Sequence, residues 1–141
     1  MLRLIFIGKT REKFLRNGLS EFLKRLQKFN VEIIEIDDAN IEDEAKKILS
    51  ITKKNFLVVL DVNGKELSSE EFAKFIKENL YDKEIYFVVG SHHGVPDELL
   101  KRANFKISLS RMTFTHELAR LILIEQIYRA FMIIQGRKYH R

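Results

Sequence analysis

Four short segments carry residue types that could do chemistry. Gly8-Lys9-Thr10 has the closing letters of a phosphate-binding loop. The full pattern needs a glycine five positions before its second one, and that position is Arg3, so the loop is excluded. Val88-Val89-Gly90-Ser91-His92-His93-Gly94 runs from a buried strand into a loop bounded by glycines, where a ligand can approach the backbone closely. A tight strand-to-helix turn would read the same way. Adjacent His92 and His93 lack the i,i+4 spacing of a helical zinc site and any companion ligand, so no metal is expected and they read as exposed loop histidines. Leu109-Ser110-Arg111-Met112-Thr113-Phe114-Thr115-His116 mixes hydroxyls, apolar residues and one arginine. It is either a loop with Thr113 or Thr115 as helix N-cap or a clamp for a planar base. Gly136-Arg137-Lys138-Tyr139-His140-Arg141 combines cations with an aromatic and an imidazole, which suits phosphate contact and base stacking; a frayed basic tail is the plainer alternative.

The elements that must position these segments follow from hydrophobic period. Leu2–Ile7, Val31–Ile36, Phe56–Asp61, Ile85–Val89 and Phe105–Leu109 read as strands, most of them continuously apolar as in a sheet covered on both faces. Helical stripes lie between them: Phe14, Leu15, Leu19, Phe22, Leu23 and Leu26, then Ile41, Ala45, Ile48 and Leu49. Ser68 with Glu71 predicts a capping box, and Pro96 followed by Asp97 and Glu98 a helix start. The βαβα rhythm predicts a single-domain α/β fold over residues 1–141, a mostly parallel sheet with helices on both faces. Ligands then belong at the carboxyl ends of strands, where Gly8, Asp61 to Gly64, Gly90 and Ser110 stand.

The last helix, from about Thr115 to Gln135, is apolar nearly all round and must be buried on more than one face. A homodimer through this helix is the reading, with burial inside the monomer as the alternative. Glu125 and Arg129 have the i,i+4 spacing of an ordinary helix pair.

Composition narrows the class. The chain has 141 residues, 45% of them hydrophobic and 32% charged, and no cysteine, which excludes disulfides, thiolate metal sites and a cysteine nucleophile. Leu118 to Ile134 is interrupted by Arg120, Glu125, Gln126 and Arg129, which argues against a membrane span. With too short an apolar start for a signal peptide, a cytoplasmic location is expected. Charge is asymmetric: residues 1–100 hold 16 Lys/Arg against 18 Asp/Glu, whereas residues 101–141 hold 9 against 2. That asymmetry points to a surface made for a polyanion, or to a basic terminal segment that aids solubility.

The ordered set of motifs resembles the ribosomal large-subunit pseudouridine N3-methyltransferase family of the SPOUT (α/β-knot) class, over essentially the whole chain. It comprises Leu60-Asp61-Val62-Asn63-Gly64-Lys65 with Leu67-Ser68-Ser69-Glu70, the Gly90 loop, Ser108 to His116, Leu123 to Phe131, and the ending Tyr139-His140-Arg141. The resemblance implies S-adenosylmethionine as methyl donor, a homodimer, and a C-terminal segment threaded into a trefoil knot, which chain-threading rules alone would have argued against. It places the cofactor on Leu60, Gly90, Leu109, Ser110, Arg111, Met112, Thr113 and Phe114. Two positions depart from the family pattern: Ser91 stands where a second glycine is common, and Thr115 where proline is common. Both put loop geometry in question.

The substrate implied is a pseudouridine in helix 69 of large-subunit rRNA, methylated at N3 on the ribosome. Because N3 starts protonated, a base or a stabiliser of the forming anion is needed. His140 is the candidate, its reference pKa being near neutrality. Tyr139 would position the base, and Arg141 with Arg111 or Arg120 would hold phosphate or developing negative charge. A non-catalytic ribosome-associated RNA-binding factor and a nucleotide-binding regulatory domain are the competing readings.

Overall fold

The computed structural model describes residues 1–140. Five strands, β1 (Leu2–Ile7), β2 (Val31–Ile36), β3 (Phe56–Glu66), β4 (Ile85–Val89) and β5 (Phe105–Ser108), alternate with five α-helices. These are α1 (Lys13–Leu26), α2 (Ile41–Thr52), α3 (Ser69–Leu80), α4 (Asp97–Arg102) and α5 (His116–Ile134). The strands form one sheet in the order β2-β1-β4-β3-β5, and every neighbouring pair is parallel.

Period-two alternation sorts the apolar runs between two cores. Leu2, Leu4 and Phe6 of β1 join Val58, Phe87 and Ile107 on one face, against Leu19 of α1, Phe72 and Ile76 of α3, and Leu123 and Ile127 of α5. Ile5 and Ile7 join Leu57, Val59 and Val88 on the other, against Ala45 and Ile48 of α2 and Leu99 of α4. Both faces being covered is why these strands are apolar without interruption.

Caps set the helix starts. Ser68 Oγ accepts from Glu71 N at 3.0 Å while Glu71 Oε1 accepts from Ser68 N at 2.8 Å, the reciprocal box the sequence predicts. Thr115 rather than Thr113 caps α5, its Oγ1 accepting from Leu118 N at 3.2 Å. The departure at Thr115 therefore supplies a helix cap in its own right.

Helix α5 packs beside both α1 and α3, which bury Leu123, Ile124, Ile127, Ala130, Phe131 and Met132 within the monomer. Intramolecular burial thus accounts for its inward faces; Leu118 stays exposed, and Ile122, Ile133 and Ile134 are half-buried.

Two strand ends differ from the sequence reading. Strand β3 does not stop at Asp61: Leu60 and Lys65 both pair with Ile107, so the residues between them bulge out and the strand resumes to Glu66. A Cβ on Gly64 would lie 2.8 Å from the backbone of Ile107, which is why the bulge closes on glycine. Strand β5 ends at Ser108, because Ser108 Oγ turns to donate to Ser110 O at 2.9 Å and Leu109 starts the loop.

The helix after β4 crosses to one face of the sheet while those after its neighbours β1 and β3 go to the other. Chains diverging from adjacent strands leave a crevice at the carboxyl end of β4.

Candidate active site

That crevice is a cleft of about 890 Å³. The end of β3 and its bulge supply Leu60, Asp61 and Val62, the β4 loop supplies Gly90, Ser91, His92 and Gly94, and the β5–α5 loop supplies Leu109 to Phe114 except Arg111. Seven of the eight residues assigned to the cofactor therefore line one cavity; Arg111 is exposed and is not part of its wall. His116, the last residue of the segment read as a possible clamp, joins the wall. Glu12 at the N-cap of α1, Phe14 and Leu15 of α1 and Glu117 of α5 were not foreseen, because periodicity does not say that these helix starts meet the strand ends.

Two loops shape the wall. Gly94 N donates to Ser91 O at 2.8 Å and Gly94 takes φ +82, so the β4 loop turns back on itself. A Cβ on Gly90 would sit 2.7 Å from Gly94 O, so only glycine permits that fold-back. Ser91 fits without strain: its Oγ accepts from His93 N at 3.2 Å and helps close the turn. In the second loop Ser110 Oγ accepts from Met112 N at 3.0 Å.

The wall is mostly apolar, with Glu12, Asp61 and Glu117 as its charged groups and neither lysine nor arginine among the described residues. His116 is held below its ordinary pKa by burial, with the Arg120 charge adding to it. Its ring lies 6.3 Å from that of His92, whose own ring meets that of His93 at 3.8 Å with the planes tilted by 42°. Among the described residues no group of three or more His, Asp or Glu is placed to hold a metal ion.

Arg120 is a correction. It is completely buried, donating to Ile7 O at 2.6 Å and Thr10 Oγ1 at 2.8 Å with its guanidinium over Phe6, so it cannot reach phosphate.

The tail forms a second cluster. Helix α5 ends in paired backbone bonds, Arg137 N to Met132 O and Gly136 N to Ile133 O, with Gly136 at φ +68. This reverses the chain, so Tyr139 packs edge-on against Tyr128 at 4.8 Å with Arg129 over its ring. His140 Nδ1 lies 3.1 Å from an Arg129 nitrogen and its Nε2 lies 2.6 Å from Glu70 Oε1. A guanidinium can only donate, so Nδ1 accepts and Nε2 carries the proton. Arg129 is itself held by Glu125 at 2.8 Å, so the pair read as helix support also orients the imidazole. Burial raises the Tyr139 phenol pKa. Glu70, distant in sequence, gave no signal of this role; its carboxyl is held below the usual range by the His140 hydrogen bond. Arg141 lies outside the described residues.

Tyr139 and His140 do not line the cleft of their own chain, so the two groups of predicted site residues form separate clusters.

Residues 1–140 match the family model described as "Predicted SPOUT methyltransferase". The chain is 44% identical to ribosomal RNA large subunit methyltransferase H of Carboxydothermus hydrogenoformans, with 99% of each covered. It is 42% identical to the protein of the same name from Clostridioides difficile, again with 99% of each covered. Among solved structures it resembles the tRNA (m1G37) methyltransferase of Aquifex aeolicus, with TM-score 0.58 and 19% identity over 91% of this chain and 69% of that one. At that identity the likeness is one of fold.

Proposed function

The chain belongs to the SPOUT methyltransferases, and within them to the ribosomal RNA large subunit methyltransferase H family, and from that premise we propose that it methylates N3 of a pseudouridine in helix 69 of large-subunit rRNA, using S-adenosylmethionine, on assembled ribosomes in the cytoplasm. The observation that carries this reading is the cleft at the ends of β3, β4 and β5, walled by Leu60, Gly90 and the Leu109–Phe114 loop.

The residues present fit that cofactor. The cavity has the size of a small-molecule site, its apolar walls suit an adenine, and the approach of Gly90 to Gly94 leaves backbone within reach of a ligand. Carboxylates without lysine or arginine suit a ligand that carries positive charge. S-Adenosylmethionine supplies an activated methyl on a sulfonium, so the protein's task is alignment and management of the N3 proton.

The tail is suited to that second task. Arg129 fills Nδ1 of His140 and leaves Nε2–H as a donor. Between a base and an anion stabiliser, this geometry favours the stabiliser. Nε2–H exchanges Glu70 for a carbonyl oxygen of the nucleobase, where charge collects once N3 is deprotonated. Tyr139, fixed against Tyr128, positions the base, and Arg141 with Arg111 serves phosphate.

Cofactor residues and tail residues form separate clusters within one chain, and a homodimer joins them: the tail of one copy completes the cleft of the other. The family's trefoil knot is part of the same reading, with the β4 and β5 loops at its crossing. Gly90→Ala and His140→Ala variants test the arrangement. Each alone is expected to be strongly impaired, and an equimolar mixture should regain about a quarter of the wild-type rate as heterodimers form with one intact site. No recovery on mixing would contradict the shared site. A titration with S-adenosylmethionine separates an enzyme from a ribosome-associated factor, which would bind none.

A further inference from the structure

The β1–α1 connection, residues 8–12, enters the reading above only through the carboxylate of Glu12, yet it is unusually well anchored for a surface loop. Arg120 reaches it from α5, binding Ile7 O and Thr10 Oγ1. Glu117 of the same helix accepts from Arg11 N at 2.7 Å and Glu12 N at 3.1 Å. Arg16 donates to Thr10 O at 3.2 Å and also to Arg11 O. Burying a guanidinium whose Nε finds no partner is costly, so this anchoring must be balanced by the order it imposes.

What the ordered loop and the first turn of α1 present is an aromatic among cations. Phe14 is 68% exposed, at the rim of the cleft, with Lys9, Arg11 and Lys13 also exposed close by in sequence. Val62 and Met112, exposed at 56% and 75%, line the same cleft, so an apolar patch surrounds its mouth. Charge is sorted there: carboxylates line the cleft wall, and these cations, on the loop and at the first position of α1, are not part of it.

We propose that this loop and the first turn of α1 form an RNA-contacting platform, on which Phe14 stacks against a base of the substrate RNA while Lys9, Arg11 and Lys13 meet flanking phosphates. The inference rests on the RNA-methylating reading and adds a recognition surface in the chain that holds the cofactor. An aromatic face accepts any base, and adjoining cations track a backbone, the combination by which single-stranded RNA is held. A rigid loop loses little freedom on binding, which suits a protein of this size.

The test measures binding to large ribosomal subunits lacking the modification, separately from catalysis. Phe14→Ala should weaken subunit binding about tenfold, and Phe14→Trp should restore it. Replacing Lys9, Arg11 and Lys13 by glutamine should flatten the dependence of log affinity on log salt by about two to three. S-Adenosylmethionine binding should be unchanged in the triple variant, whose three residues do not line the cleft. Subunit binding by Phe14→Ala equal to wild type, with an unaltered salt slope in the triple variant, would overturn the platform. Loss of dimer in Phe14→Ala by analytical ultracentrifugation would overturn it too, assigning the patch to a second copy. Wild-type protein that binds subunits but transfers no methyl sinks the methylation reading and leaves the platform standing or falling on its own binding data.

Discussion

The side chain of Arg129 meets His140 Nδ1 at 3.1 Å, and that contact decides which proton the imidazole carries. With Nδ1 accepting, Nε2–H points away as a donor, held at 2.6 Å by Glu70 in the free chain. A residue whose ordinary pKa suggests a general base is thereby built as a hydrogen-bond donor.

The two roles separate by substitution. His140→Gln keeps an amide N–H near the Nε2 position and removes any base; His140→Ala removes both. An anion stabiliser predicts a loss of about a hundredfold for alanine, the scale of an oxyanion donor. Glutamine should retain at least about tenfold more rate than alanine, measured as single-turnover methyl transfer. Equal losses in the two variants would return His140 to the base.

Gly90→Ala should impair the cofactor site directly. The added Cβ would lie 2.7 Å from Gly94 O and 2.8 Å from Gly94 C, both backbone atoms, so the loop has to open. S-Adenosylmethionine affinity should fall at least tenfold by calorimetric titration, and stability should fall by roughly 1–3 kcal/mol from overpacking. Wild-type affinity in this variant would mean that the Gly90 turn does not shape the pocket.

Arg120→Met should cost stability rather than substrate contact. Ile7 O and Thr10 Oγ1 would lose their donors in a region closed to solvent, a loss of about 3 kcal/mol in urea unfolding. A change under 1 kcal/mol would show that the burial of the guanidinium offsets its bonds.

Glu117 predicts a pH dependence. Burial opposes its charge, but the N–H groups of Glu12 and Arg11 outweigh that and hold its carboxyl below the ordinary value. A carboxyl lowered on folding contributes stability above its unfolded pKa of about 4.3 and loses it as pH falls through the folded value. The stability gap between wild type and Glu117→Gln should be widest above about pH 5 and close on further acidification. A gap constant down to pH 3 would rule out the carboxylate as the anchor.

Much of this was legible in the sequence because it rests on local pattern. Continuous apolar runs mark strands covered on both faces, Ser68 and Glu71 mark a cap, and Gly90 marks a tight turn that only glycine permits. What escaped depends on contacts between distant segments. The bulge that carries Asp61 and Val62 arises from the register of β3 on β5. Arg120 read as a surface cation because nothing local shows that its partners are Ile7 and Thr10. Glu70 meets His140 only because Gly136 reverses the chain after α5. The proposed knot rests on family resemblance alone, since no period in the chain encodes threading, whereas the proposed dimer was also read from the nearly all-apolar circumference of α5.

The central claim is that this cleft and tail methylate a base in large-subunit rRNA. The direct measurement is transfer of labelled methyl from S-adenosylmethionine to ribosomes from cells lacking this protein, followed by mapping of the modified nucleotide. The expected result is one methyl per ribosome, on N3 of a helix 69 pseudouridine, abolished by Gly90→Ala. Label on another RNA or another position, or none with cofactor bound, would contradict it.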